Sequence, residues 1–201
     1  MTKIIGITGV IGSGKSTVVR LLHQCGASVI VTDKITHEVY KPGSAAWKDI
    51  VKTFGKRVLT FEGKVDRGVL GEIVFNNKSA LSELNSITHP RILEKVQNLI
   101  EKLRGQNVPV VAIEVPLLIE VGWDKLVDYI WVVTAPKADI DVRLKKQRGF
   151  SKAEIVSRAK TRLSEAELIK HANVVIRNDG NRQKLKSQVA EHWIRLTNNQ
   201  A

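Results

Sequence analysis

The first apolar run, Lys3–Thr8 (KIIGIT), is rich in β-branched residues and does not alternate with polar ones. That pattern suits a central parallel strand covered on both faces. After a glycine-rich turn, Ser16–Gln24 places Val18, Val19, Leu21 and Leu22 on one helical face. Gly26 then stands where a helix C-terminal glycine belongs. Further strands are expected at Ser28–Val31, Pro109–Ile113, Asp128–Thr134 and Asn173–Ile176. A helix is expected to begin near Pro136. A final one covers Asn181–Leu196, with Leu185, Val189, Trp193 and Leu196 spaced for one face. Strands alternating with helices predict an α/β fold on a parallel sheet.

The pattern changes between Lys34 and Gly105, where helical spacing and turns replace apolar strand runs. Lys41–Ser44 (KPGS) is a turn, and Phe54–Gly68 has the spaced glycines and charges of a small irregular excursion. One helix is expected to end at the ALSELNSITHP stretch. Pro90 suits the first position of another, running through Ile92, Val96, Leu99, Ile100 and Leu103. This region reads as a helical insertion.

Composition adds bounds. The chain has 201 residues, 43% hydrophobic and 26% charged, which is enough for one globular domain with an inserted part. Its single cysteine, Cys25, excludes an internal disulfide and is expected to be a buried residue on a helix, as suits a reducing compartment. The longest apolar stretch, Val108–Trp123, is broken by Pro109, Glu114, Pro116 and Glu120, so no membrane span is expected and a cytoplasmic location is. Lys plus Arg number 32 against 20 Asp plus Glu, a formal charge of +12, which draws polyanions without distinguishing nucleic acid from small phosphorylated substrates.

The chemistry is sharpest at Gly9–Thr17 (GVIGSGKST), which matches G-x-x-x-x-G-K-[ST] between a strand and an amphipathic helix. Glycines at this spacing let the main chain curl so that its N–H groups face phosphate oxygens, and the following helix adds its N-terminal donors. The loop implies binding of nucleotide phosphates by Gly9, Ile11, Gly12, Ser13, Gly14, Lys15, Ser16 and Thr17. Within it Lys15 reaches the β- and γ-phosphates and the Ser16 hydroxyl ligates Mg²⁺. Asp33 ends the VIVTD run as either a catalytic base or a turn residue. Glu114 ends VVAIE as a candidate neighbour of Mg²⁺, through water, or as a loop acid. In the basic segment after the fourth strand, Arg143 and Arg148 are candidates to stabilise the transferring phosphoryl group. A solvated basic helix is the alternative.

Several stretches together carry a resemblance: GITGVIGSGKST, VIVTDKITHEV, PGSAAWKDIVKTFG, VDRGVLGEIVF, LNSITHPRI, VPLLIEVGW, VRLKKQR and ANVVIRNDG. In this order they are similar to the dephospho-CoA kinase family. The resemblance implies a P-loop three-layer α/β/α fold with a five-stranded parallel sheet, a helical acceptor-binding insertion and a lid. A single kinase domain follows, with its core at about 1–35, 106–138 and 170–201, the insertion at about 36–105 and the basic lid at about 139–169. It further implies transfer of the ATP γ-phosphate to the ribose 3′-hydroxyl of dephospho-CoA. Asp33 would receive the hydroxyl proton, and Thr8, Arg67, His89, Arg91, Pro116, Leu117 and Leu118 would lie on the acceptor side. For His89 helix capping or packing is an equal alternative, and for the apolar Pro116–Leu118 packing is. The implied partners are ATP with Mg²⁺ and dephospho-CoA, with no nucleic acid and no membrane. A monomer is expected, with a weak oligomer as the alternative. Val10, Val31, Gly149 and Arg162 depart from the family's usual residues.

The rivals are a nucleoside-monophosphate or shikimate type of kinase and, from another class, a nucleotide-switched nucleic-acid-binding module. The insertion stretches speak against the first. An aromatic content of 5% speaks against the stacking platforms that the second needs.

Overall fold

The computed structural model describes residues 1–147 and 162–198. Five strands form the sheet: β1 (Lys3–Thr8), β2 (Ser28–Val31), β3 (Val110–Glu114), β4 (Tyr129–Thr134) and β5 (Val174–Arg177). Their order is β2-β3-β1-β4-β5, and β1 lies parallel to both β3 and β4, as β4 does to β5. The parallel α/β sheet expected from the strand–helix alternation is thus present. The strand bounds differ from the sequence reading by one residue at most places.

Two compact units make up the chain. One joins Met1–Ile30 to Lys102–Ala201, and the other is Val31–Glu101. The first holds the sheet with helices α1 (Lys15–Gln24), α6 (Lys137–Gln147), α7 (Glu165–Lys170) and α8 (Arg182–Asn198). Ile5 and Ile7 of β1, Trp131 and Val133 of β4 and Ile176 of β5 form one core. It is closed by Val18, Val19, Leu21 and Leu22 of α1 and by Leu185, Val189 and Leu196 of α8. On the opposite face of β1, Gly6 makes room for Leu118 and Val127, because a side chain there would press on both. This two-sided burial explains the unalternating apolar sequence of β1. Because consecutive side chains of a strand point to opposite faces, both sets of positions have to be apolar.

The second unit contains α2 (Thr32–Val39), α3 (Ala45–Phe54), α4 (Arg67–Phe75) and most of α5 (Lys78–Gly105). Its core gathers Ile50, Phe54, Val58, Leu70, Val74 and Leu84. Ser44 caps α3 by accepting from the Trp47 N–H, and Asp66 caps α4 by accepting from Gly68 and Val69. Between these helices the Phe54–Gly68 stretch forms a 3₁₀ turn at Lys56–Val58 and one antiparallel bridge from Leu59 to Val65, the irregular excursion expected there.

Two expectations fail. Pro90 does not open a new helix but lies inside α5, which runs 28 residues without interruption. Proline removes one helical donor and crowds the preceding turn, which ordinarily favours a break. Here Leu84, Thr88, Ile92, Val96 and Ile100 are buried at four-residue spacing on both sides of it, so one continuous stripe outweighs the local defect. The Arg91 guanidinium also donates to the Ile87 carbonyl beside the proline. Cys25 is likewise not a buried residue within a helix. It is the half-exposed C-cap of α1, followed by Gly26 at φ 110°. The glycine takes the left-handed turn that ends the helix, which leaves the preceding residue at the rim of the core.

Candidate active site

The strand order reverses direction around β1, with β3 on one side and β4 on the other. In open parallel sheets ligands settle outside the carboxyl ends of the strands at such a point. The Gly9–Thr17 loop leaves β1 there and enters α1. Its curl needs glycine. Gly9 has φ 144°, and a side chain on it would collide with the Val133 carbonyl 2.2 Å away. Gly14 has φ 103° and is the N-cap of α1.

Lys15 is 8% exposed. Its ammonium donates to the Gly9 carbonyl at 2.9 Å and to the Val10 carbonyl at 3.0 Å. The loop therefore wraps around its own lysine. Val10 serves through its main chain, since its carbonyl also accepts from the Ser13 N–H at 3.2 Å. An unusual side chain at position 10 is compatible with that role. Ser16 Oγ donates to Glu114 Oε1 at 2.8 Å, and Glu114 is 7% exposed at the end of β3. The carboxylate is thus a buried partner of the loop serine, which excludes the reading of Glu114 as a solvated loop acid.

On the outer side of the loop, Arg143 of α6 donates through Nη1 to the Gly12 and Ser13 carbonyls, both at 3.3 Å. Through Nη2 it reaches the Asn178 carbonyl at 3.4 Å. Asp139, one helical turn back, lies 3.6 Å from the same guanidinium. Arg143 is therefore seated against the loop's main chain. Arg148 lies outside the described residues. Asn178, just after β5, donates from its side-chain amide to the Ser13 carbonyl at 2.8 Å. The sequence reading assigned it no role, although a polar residue directly after a strand at the carboxyl edge of the sheet was a usable signal.

Thr8 is fully buried at the end of β1, and its hydroxyl has no hydrogen-bond partner. Leu118 is also fully buried and packs over Gly6, so it is a core residue. Pro116 and Leu117 keep part of their surface.

The helical unit groups a second set of polar residues. Asp33 is not in a turn but exposed in the first turn of α2. His37 and Tyr40 follow at the four- and three-residue steps that share a helical face. Arg67, the first residue of α4, stacks over the Tyr40 ring at 5.1 Å and donates to His37 Nε2 at 3.0 Å. Burial pulls the Arg67 guanidinium below its usual range, while the phenol of Tyr40 and the carboxylate of Asp33 act in the opposite sense. Burial likewise raises the Tyr40 phenol, against the pull of Arg67 and a hydrogen bond with Thr88. The structure thus brings Asp33 and Arg67 within electrostatic reach and adds His37 and Tyr40, which sequence reasoning missed. His89 sits half-buried inside α5, caps no helix, and is pushed down by burial. Arg91 does not join this group. It pairs with Asp49 of α3 and ties α3 to α5.

Comparison with known proteins decides what carries this arrangement. The family model for dephospho-CoA kinase matches residues 3–184. The chain belongs to the dephospho-CoA kinase family. Among curated members of that family, the Moorella thermoacetica protein is 43% identical over 194 residues, covering 96% of this chain and 92% of its own. The Dehalococcoides mccartyi protein is 41% identical over 187 residues, covering 93% and 94%. Among solved structures, dephospho-CoA kinase from Campylobacter jejuni aligns with a TM-score of 0.73 and 26% identity over the full length of both chains. A Thermus thermophilus protein of known crystal structure aligns with a TM-score of 0.82 and 29% identity, covering 97% of each. Shikimate kinase from Acinetobacter baumannii, at 14% identity and a TM-score of 0.51, shares the fold. Membership in this family makes the chain a nucleotide-dependent kinase. Among the described residues, no helix is long and apolar enough to cross a membrane.

Proposed function

We propose that this kinase transfers the γ-phosphate of ATP to the ribose 3′-hydroxyl of dephospho-CoA, giving coenzyme A and ADP. The observation that carries this reading is the match of residues 3–184 to one kinase family. The bond from Ser16 to Glu114 supports it from the chemistry of the site.

Phosphoryl transfer passes through a loose transition state, so the protein's task is to position the reactants and to stabilise charge. In the loop, the Lys15 ammonium and the N-terminal donors of α1 take the phosphates of ATP. Ser16 and Glu114 offer hard oxygen donors side by side, which fits Mg²⁺, an ion that takes few protein ligands and completes its shell with water and phosphate oxygens. Bound there, Mg²⁺ would neutralise charge on the phosphates. Arg143, through its hold on the Gly12 and Ser13 carbonyls, keeps a cation beside the loop. Asp33 accepts or orients the proton of the 3′-hydroxyl, which asks for an exposed carboxylate on a rigid helix. Arg67, held on Tyr40 and His37, takes an anionic group of the acceptor through its planar fork. His89, half-buried in α5 of the same helical unit, is a second acceptor-side candidate.

Two anionic substrates suit the formal charge of +12. The reaction needs no nucleic acid, membrane or second chain, and it belongs in the cytoplasm, where a lone cysteine stays reduced. An assay of ADP release with ATP and Mg²⁺ tests the reading by comparing dephospho-CoA, AMP, shikimate and no acceptor. Turnover that depends on dephospho-CoA is expected. Turnover with AMP or shikimate in its place would refute it.

A further inference from the structure

We propose that Asn178 is a positioning residue for nucleotide binding, whose side-chain amide sets the Ser13–Gly14 peptide of the phosphate loop in its phosphate-facing orientation. The proposal rests on the reading of Gly9–Thr17 as the phosphate site.

The backbone of Asn178 is fixed first. Its N–H donates to the Thr134 carbonyl at 2.8 Å, one step beyond the paired residues Thr134 and Arg177 that close the β4–β5 ladder. The side chain thereby leaves a rigid strand end, not a mobile loop. Its Nδ2 lies 2.8 Å from the Ser13 carbonyl oxygen. A carbonyl can only accept, so the nitrogen of the amide must face it.

A peptide group is planar and trans, so its C=O and N–H point in opposite directions. Holding the Ser13 carbonyl toward Asn178 therefore turns the Gly14 N–H the other way, to the inner side of the loop. Gly14 is the N-cap of α1 at φ 103°, and a Cβ there would lie 2.2 Å from Asn178 Nδ2. The amide nitrogen points at a position that only glycine can fill. The same Ser13 oxygen receives Arg143 Nη1, and the Asn178 carbonyl receives Arg143 Nη2. Two donors, one of them cationic, thus draw on a single carbonyl, and such shared bonding polarises the attached N–H. An aspartate at 178 would have the same shape, could not donate, and would set a negative charge beside the phosphates.

The test uses full-length Asn178→Ala and Asn178→Asp, with Lys15→Ala as the reference for the loop. ADP affinity is measured by calorimetry, KM for ATP and for dephospho-CoA by ADP release, and the thermal midpoint by circular dichroism. Asn178→Ala is expected to weaken ADP binding and raise KM for ATP about tenfold, the loss of one hydrogen bond in a charged site. Asn178→Asp should lose more. KM for dephospho-CoA and the thermal midpoint should stay near the parent values in both. Unchanged ADP affinity in the Asn178 variants, with the loss present in Lys15→Ala, would overturn the role of Asn178 alone. Unchanged affinity in Lys15→Ala as well would overturn the phosphate-loop reading beneath it. If KM for both substrates rises together with a fall in the midpoint, Asn178 is a structural support of β5 and the proposal fails. If Asn178→Ala does not fold, Asn178→Asp, which keeps the shape, decides on the same measurements.

Discussion

The phosphate loop and the helical unit build their polar sites by opposite means. At the loop the working groups are largely main chain. Lys15 and Glu114 are buried, and they are held by Gly9, Val10 and Ser16. In the helical unit they are side chains, with Asp33, His37 and Arg67 reaching outward from two different helices. A site made of backbone leaves a compact motif in the sequence, because the chain's own curl requires glycine at set intervals. A site made of side chains on packed helices leaves only scattered letters. Their meeting depends on how Tyr40, at the end of α2, and α4 pack against the core of Ile50, Phe54 and Leu70.

This contrast can be broken by substitution. Asp33→Asn bears on it most strongly, with an expected fall in kcat of about 10²–10⁴-fold, the usual contribution of a placed base. ADP affinity, measured by calorimetry, should be kept, since the loop is untouched. A fall in ADP affinity to match would end the separation of roles. Glu114→Gln keeps an acceptor for the Ser16 hydroxyl but removes the charge. The Mg²⁺ concentration for half-maximal rate should rise at least about tenfold, read from magnesium titrations of turnover. Arg67→Lys retains the charge and loses the planar fork and the stacking on Tyr40. KM for dephospho-CoA should rise about tenfold while KM for ATP stays constant, as steady-state kinetics would show.

The smallest effect concerns pH and belongs to the helical unit. Burial lowers the His89 pKa in the folded chain below its ordinary value of 6.5. The unfolded chain then binds the proton more readily, so the contribution of His89 to stability is full above the unfolded pKa and is lost as pH falls through that value and on through the folded one. Replacement by glutamine should flatten the decline in the thermal midpoint between neutral and mildly acid pH. An unchanged slope would place the acid sensitivity elsewhere, with His192 the next candidate, because burial lowers it too.

Much of the fold could be read along the chain. Five strands, the loop and the first and last helices follow from apolar runs and from one motif. Pro90 shows where such reading stops. Proline's local cost was visible, but the stripe from Leu84 to Ile100 that carries α5 through it draws its energy from tertiary burial. Asn178 shows the same limit at the site. The ANVVIRNDG stretch was recognisable, yet the target of its amide, the Ser13 carbonyl, lies 165 residues away in sequence. Tyr40 offered a helical spacing from Asp33, but not the arginine that stacks on its ring.

A phosphate loop between a buried strand and a helix, a parallel sheet and the family resemblance were all legible along the chain. These rest on short-range rules: glycine conformations, hydrophobic period and the order of motifs. The tertiary structure alone decided that Glu114 partners Ser16, that Arg143 and Asn178 converge on one carbonyl, and that Arg67 lies on Tyr40. Each of these joins residues distant in the chain, and only the packing of the elements between them brings their atoms within bonding distance.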